Sequence, residues 1–108
     1  MSKYIFIESR DPFESRDTFV RETASALNQR GHEVTVFLVQ NGVLATRKQA
    51  QNSYLAQLSS TGVTLLADDF SLCERGIQPA ELHPGIKPAT IEALVDLLVQ
   101  ENTKAIWH

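Results

Sequence analysis

The sequence has only one cysteine, Cys73, among its 108 residues. No internal disulfide can form, and a reducing compartment is the natural expectation. Glycine-rich phosphate loops are missing: neither GxGxxG nor GxxxxGK[ST] occurs, and nothing points to a nucleotide. A basic stripe is missing too. Lys and Arg are scattered and the net charge is −3, which weighs against nucleic acid as a partner. No apolar run approaches the roughly 20 residues needed to cross a bilayer. The opening residues lack the cleavage site of a signal peptide and read directly as a strand. A cytoplasmic protein with no membrane contact is therefore expected. His32, His83 and His108 show no paired metal-ligand spacing, and no GxSxG elbow is present.

What is there is an ordinary globular balance, 43% apolar and 21% charged, in a length that fits one domain over residues 1–108. Tyr4 to Ile7 is a short apolar run closed by polar residues, the pattern of a buried strand. From Glu14 to Arg30, residues Phe19, Val20, Thr23, Ala24, Ala26 and Leu27 recur at three and four, as on an amphipathic helix. Asp11 or Ser15 is a candidate cap with Pro12 in the first turn, and Gly31 is placed to stop the helix. Glu33 to Val39 is almost continuously apolar, as strands covered on both faces are. Gln40 to Val43 reads as a turn, and Leu44 to Ser59 as a second helix with a polar middle.

Gly62 to Ala67 gives a third strand, followed by a short helix ending at Gly76. A short edge strand is expected near Gly85 to Lys87, then a helix from Pro88 to Gln100 with Ile91, Leu94, Val95, Leu97 and Leu98 on its apolar side. Ala105 to Trp107 is a final strand. Strands alternating with helices predict an α/β fold: three layers, α/β/α, around a mostly parallel sheet of about five strands. Ligands of such sheets bind beyond the carboxyl ends of the strands. Three loops fall there, and they supply the candidate binding residues Glu8, Ser9, Arg10, Asn41, Asp68, Asp69 and Arg75.

Cys73 is the candidate reactive group. A thiol near a helix N-terminus ionises more easily, whereas negative neighbours such as Asp68, Asp69 and Glu74 oppose it. The alternative is a buried cysteine serving as a small hydrophobe. Asp68 and Asp69 read as a helix cap and a solvated charge, or as cation ligands. Arg75 reads as a structural partner of those acids, or as a fork for an anion. Flavin or nucleotide binding would rest on fold analogy alone.

The order and spacing of several segments resemble the DsrE-like (DsrE/DsrF, TusD) family of sulfur-relay proteins. They are the opening strand at Lys3 to Glu8 with Asp11 and Pro12, the stretch from Gly31 to Leu38, and the Asn41-Gly42-Val43 turn. They continue with Gly62 to Leu66, leading through a short helix to Arg75-Gly76-Ile77, and the helix before Ala105-Ile106-Trp107. The resemblance implies a domain that assembles into homo-oligomers, commonly trimers or hexamers. It implies sulfur-carrier proteins as partners, a cysteine persulfide as the travelling group, and no metal or organic cofactor. In the family the acceptor cysteine commonly follows the third strand directly. That position is Asp68 here, and Cys73 lies farther along. Two functions stay open: a persulfide carrier or sulfur-transfer subunit acting through Cys73, or a non-catalytic oligomeric or small-ligand-binding subunit in which Cys73 is structural.

Overall fold

The computed structural model describes residues 2–11, 18–48 and 54–108. Its centre is a sheet of five parallel strands in the order β4-β3-β2-β1-β5. The strands are β1 (Lys3–Glu8), β2 (Glu33–Leu38), β3 (Thr64–Asp68), β4 (Ile86–Ala89) and β5 (Thr103–Trp107). Period-two alternation sends successive side chains to opposite faces, and the register lines them up across all five strands. One row runs Ile106, Phe6, Val36, Leu65, Ile86. Three helices cover this face: α1 (Phe19–Gln29), α2 (Tyr54–Ser60) and α3 (Asp69–Glu74). They contribute Val20 and Ala24, Leu55 and Leu58, and Leu72 to a common core with that row.

The opposite row runs Trp107, Ile7, Phe37, Leu66, Lys87. It is covered by α4 (Ile91–Leu98), through Leu94, Leu97 and Leu98. A helix is about 10 Å across, and five strands span more than 20 Å at about 4.8 Å each. One helix therefore cannot cover the face, and the row ends in two exposed side chains, Trp107 and Lys87.

The chain steps from β1 outward to β4, then returns through α4 to set β5 against the other side of β1. Right-handed crossovers put the first helices on one face and α4 on the other. The reversal makes the β1–β5 boundary the topological switch point.

Several elements differ from the sequence expectation. The segment from Leu44 does not run as one helix: residues Gln40–Ala45 are a 3-10 turn, residues 46–48 are not helical, and α2 is described over Tyr54–Ser60. The polar middle falls largely on 49–53, outside the described residues, as do Ser15 and Pro12; Asp11, the other expected cap, is not the cap of α1, whose N-cap position is Thr18. The last helix starts later than Pro88. Pro88 pairs with Ala67 in β4, which is tolerated because β4 is an edge strand that need not donate outward. Thr90 caps α4 instead, its Oγ1 accepting from the Ala93 N–H at 3.2 Å. Among the described residues no helix is long and apolar enough to cross a membrane.

Candidate functional site

Three groups of side chains stand at the carboxyl ends of the strands. The first forms where β1 and β5 end together. Glu8 is buried. One carboxylate oxygen accepts from the Arg10 N–H at 2.9 Å, and the other lies 2.8 Å from His108 Nδ1. The Ser9 N–H and hydroxyl both donate to the His108 carbonyl, at 2.9 and 3.0 Å. The His108 N–H donates to the Ile7 carbonyl at 2.9 Å. The Phe19 ring lies over the imidazole with centroids 5.3 Å apart. Tyr54 faces the same acid: burial, with the Glu8 charge adding to it, pushes its phenol well above the ordinary range. A buried carboxylate needs this density of partners, because an unpaired one is expensive to desolvate. The pair stands where β1 and β5 end.

Glu8 is also fixed from the β2 side. Its carbonyl accepts from the Val39 N–H at 2.9 Å, and Gly42 lies so close that a Cβ there would run into the Glu8 carbonyl oxygen. Only glycine allows this approach of the two loops.

The second group joins the ends of β2 and β3. Asp68 caps α3: one carboxylate oxygen accepts from the Ser71 N–H at 3.0 Å and from the Ser71 hydroxyl at 2.6 Å. That hydroxyl in turn accepts from the Gln40 N–H at 2.9 Å. Gln40 stands at φ +51°, a left-handed conformation uncommon outside glycine, and this bond helps hold it. Asn41 Oδ1 accepts from Arg75 Nε and Nη2 at 3.3 and 3.1 Å. Arg75 Nη1 donates to the Ser71 carbonyl at 3.3 Å and lies 3.6 Å from a Glu74 carboxylate oxygen. Asp68 and Arg75 both bond to Ser71, at different atoms, and are not paired with each other by any of these bonds. The guanidinium ties the Asn41 loop to α3.

The third group is a cleft of about 430 Å³, within the size range of small-molecule sites. One wall is Asp69, Leu72 and Cys73 of α3; the others are residues 76–79 and Pro88 of β4. Cys73 is exposed, not a buried hydrophobe. It is the fifth of the six residues of α3, so the N-terminal position that favours a thiolate is not the one it has. Gly76, at φ +67°, turns the chain after the helix and brings Ile77 back into the core. Among the described residues no group of three or more His, Cys, Asp or Glu is placed to hold a metal ion.

The residues singled out in the sequence therefore separate. Glu8, Ser9 and Arg10 form one network, Asn41, Asp68 and Arg75 another, and Asp69 and Cys73 share the cleft. His108 and Ser71 are the participants sequence reasoning passed over. Ser71 had a readable signal, since an acid three residues before a serine is a capping pattern. His108 had none, because its partner is 100 positions away.

No curated protein matches the chain. Three solved structures share its fold. A protein of unknown function from Methanobacterium thermoautotrophicum superposes with a TM-score of 0.82 at 20% identity, over 100% of each chain. The ychN protein of E. coli gives 0.86 at 18% identity, again over 100% of each. A conserved protein of unknown function from Bacteroides thetaiotaomicron gives 0.79 at 15% identity, over 99% of this chain and 95% of the other. The model of the DsrE/DsrF-like family matches residues 2–104. With that match laid over the parallel sheet and its loops, the chain belongs to the DsrE/DsrF-like family.

Proposed function

We propose that this is a sulfur-relay protein, a cytoplasmic persulfide carrier in which Cys73 accepts and hands on a sulfane sulfur. The observation that carries the reading is the position of the one thiol: exposed, and in the wall of a cleft at the carboxyl side of the sheet. The chemistry needs no cofactor. The Cys73 thiolate attacks the outer sulfur of a donor R–S–SH. The donor S–S bond breaks, RS⁻ leaves with the bonding pair, and Cys73–S–SH remains. An acceptor thiolate then takes the outer sulfur by the same displacement and releases the Cys73 thiolate. Asp68, at the position of the family's usual acceptor, has a carboxylate engaged by Ser71 and holds the start of α3 in place.

A second reading, a non-catalytic oligomeric subunit, is favoured by a different observation. Ile91 and Val95 on α4 and Val99 at its C-cap recur every four residues and stand 51%, 52% and 76% exposed, and Trp107 is 66% exposed. An apolar stripe of this kind marks an interaction surface. The two readings agree on association of copies of the chain into a trimer or hexamer and differ on the thiol. Intact-mass spectrometry after exposure to a persulfide donor separates them. A gain of one sulfur in the wild type, lost in Cys73→Ala, supports the carrier. An inert thiol supports the subunit.

A further inference from the structure

The cleft has a charge as well as a shape. Leu72, Ile77, Pro79 and Pro88 give it apolar walls, and Gln78 adds an amide. Among the described residues its one ionisable group besides the thiol is Asp69. Asp69 and Cys73 are four residues apart on α3, a spacing that stacks side chains on one helix face with Cβ atoms about 5–6 Å apart. Both line the same cleft, which agrees with that geometry. Among the described residues no lining residue is a cation. The nearby guanidinium of Arg75 is turned to Asn41, the Ser71 carbonyl and Glu74. A group approaching the thiol through this cleft therefore meets one carboxylate with no compensating positive charge.

We propose that the cleft selects its sulfur donor by charge. It admits the neutral hydropersulfide of an apolar organic thiol and turns away anionic donors such as thiosulfate, with Asp69 as the specificity-determining residue. The inference rests on the carrier reading of Cys73 and adds the class of donor. For an apolar R–S–SH the reacting end is uncharged, the R group lies on the proline and aliphatic walls, and the hydrogen stays on the transferred sulfur. For thiosulfate the same displacement expels sulfite, and two negative charges must first pass Asp69. At low ionic strength, where the test is run, Coulomb repulsion at about 6–7 Å in a solvent-like medium slows a monoanion about threefold and a dianion about tenfold.

The test compares reagents that differ in charge, using ratios so that any change in thiol ionisation cancels. Alkylation of Cys73 by iodoacetamide and by iodoacetate is timed by mass spectrometry in wild type, Asp69→Asn and Glu101→Gln. Glu101 is an exposed acid outside the cleft lining. The neutral-to-anionic rate ratio is expected to fall about threefold in Asp69→Asn and to hold in Glu101→Gln. Thiosulfate loading relative to benzyl hydropersulfide loading is expected to rise about tenfold in Asp69→Asn. An unchanged ratio in Asp69→Asn, or an equal change in Glu101→Gln, overturns the charge selection. Failure of both sulfur donors to load Cys73, with the alkylation ratio still set by Asp69, overturns the carrier reading instead.

Discussion

At the residue scale, the carboxyl edge of the sheet depends on a few close fits. Gly42 touches the Glu8 carbonyl, so Gly42→Ala must move one loop or the other. It is expected to cost about 1–3 kcal/mol, the range for overpacking a tight site, read as a lowered midpoint in urea. Asp68→Ala removes the cap of α3 and leaves the Ser71 N–H and hydroxyl without their acceptor. A loss of about 1–2 kcal/mol is expected, and Asp68→Asn should restore most of it because its amide oxygen can still accept. Recovery by Asn argues for a capping role, whereas equal damage from both variants would contradict it. These residues were legible to different degrees. The Asp68–Ser71 spacing is local and can be read from the sequence as a cap. The glycine at position 42 signalled a turn but not the backbone it would touch. The Glu8–His108 pair depends on β5 returning beside β1, which no local pattern encodes.

At the element scale, apolar runs and periodicity mark β1, β2, β3 and β5 and most helices, β4 is expected only as a short edge strand near Gly85 to Lys87, and local chemistry decides the ends. The apolar spacing from Ile91 to Leu98 places a helix from Pro88 to Gln100. Pro88 lies instead in an edge strand, and Thr90, which can cap, sets the start of α4. The 3-10 turn at Gln40–Ala45 takes in the turn expected at Gln40 to Val43 and extends over Leu44 and Ala45, where helix is expected. The short turn at Pro79–Glu81 is set by charge. The Glu81 carboxylate accepts from the Gln78 N–H at 3.0 Å and from Arg47 Nε at 3.2 Å. These hold its acid, the backbone bond foremost, below its ordinary value of 4.5. An acid lowered in the folded state stabilises above its unfolded value, and that contribution fades as pH falls through the folded one. The melting temperature of Glu81→Gln should therefore lie below wild type near neutral pH, with the gap closing as pH falls below 4.5. A gap that stays constant in acid would contradict the linkage.

At the scale of the whole molecule, three helices cover one face of the sheet and one covers the other among the described residues. This imbalance leaves the α4 side incompletely buried, with Ile91, Val95, Val99 and Trp107 in solvent. A larger assembly would remove that apolar area from water at about 25 cal/mol per Å². Val95→Glu is expected to shift the protein toward monomer in sedimentation velocity with little change in its own folding, since Val95 is half exposed. An unaltered assembly would place the contact elsewhere. The α/β class and parallel sheet were readable because alternating strand and helix patterns leave few topologies. The cleft was not readable, because it arises where α3, the loop after Gly76 and the edge strand β4 meet.

The central claim is that Cys73 carries sulfur. Reduced protein is exposed to a hydropersulfide donor, freed of excess reagent and weighed by intact-mass spectrometry beside Cys73→Ala. A gain of one sulfur atom that is absent from the variant, and that passes to an added thiol acceptor with return of the original mass, is the predicted result. A wild type that takes up no sulfur, or a variant that takes up as much, contradicts it.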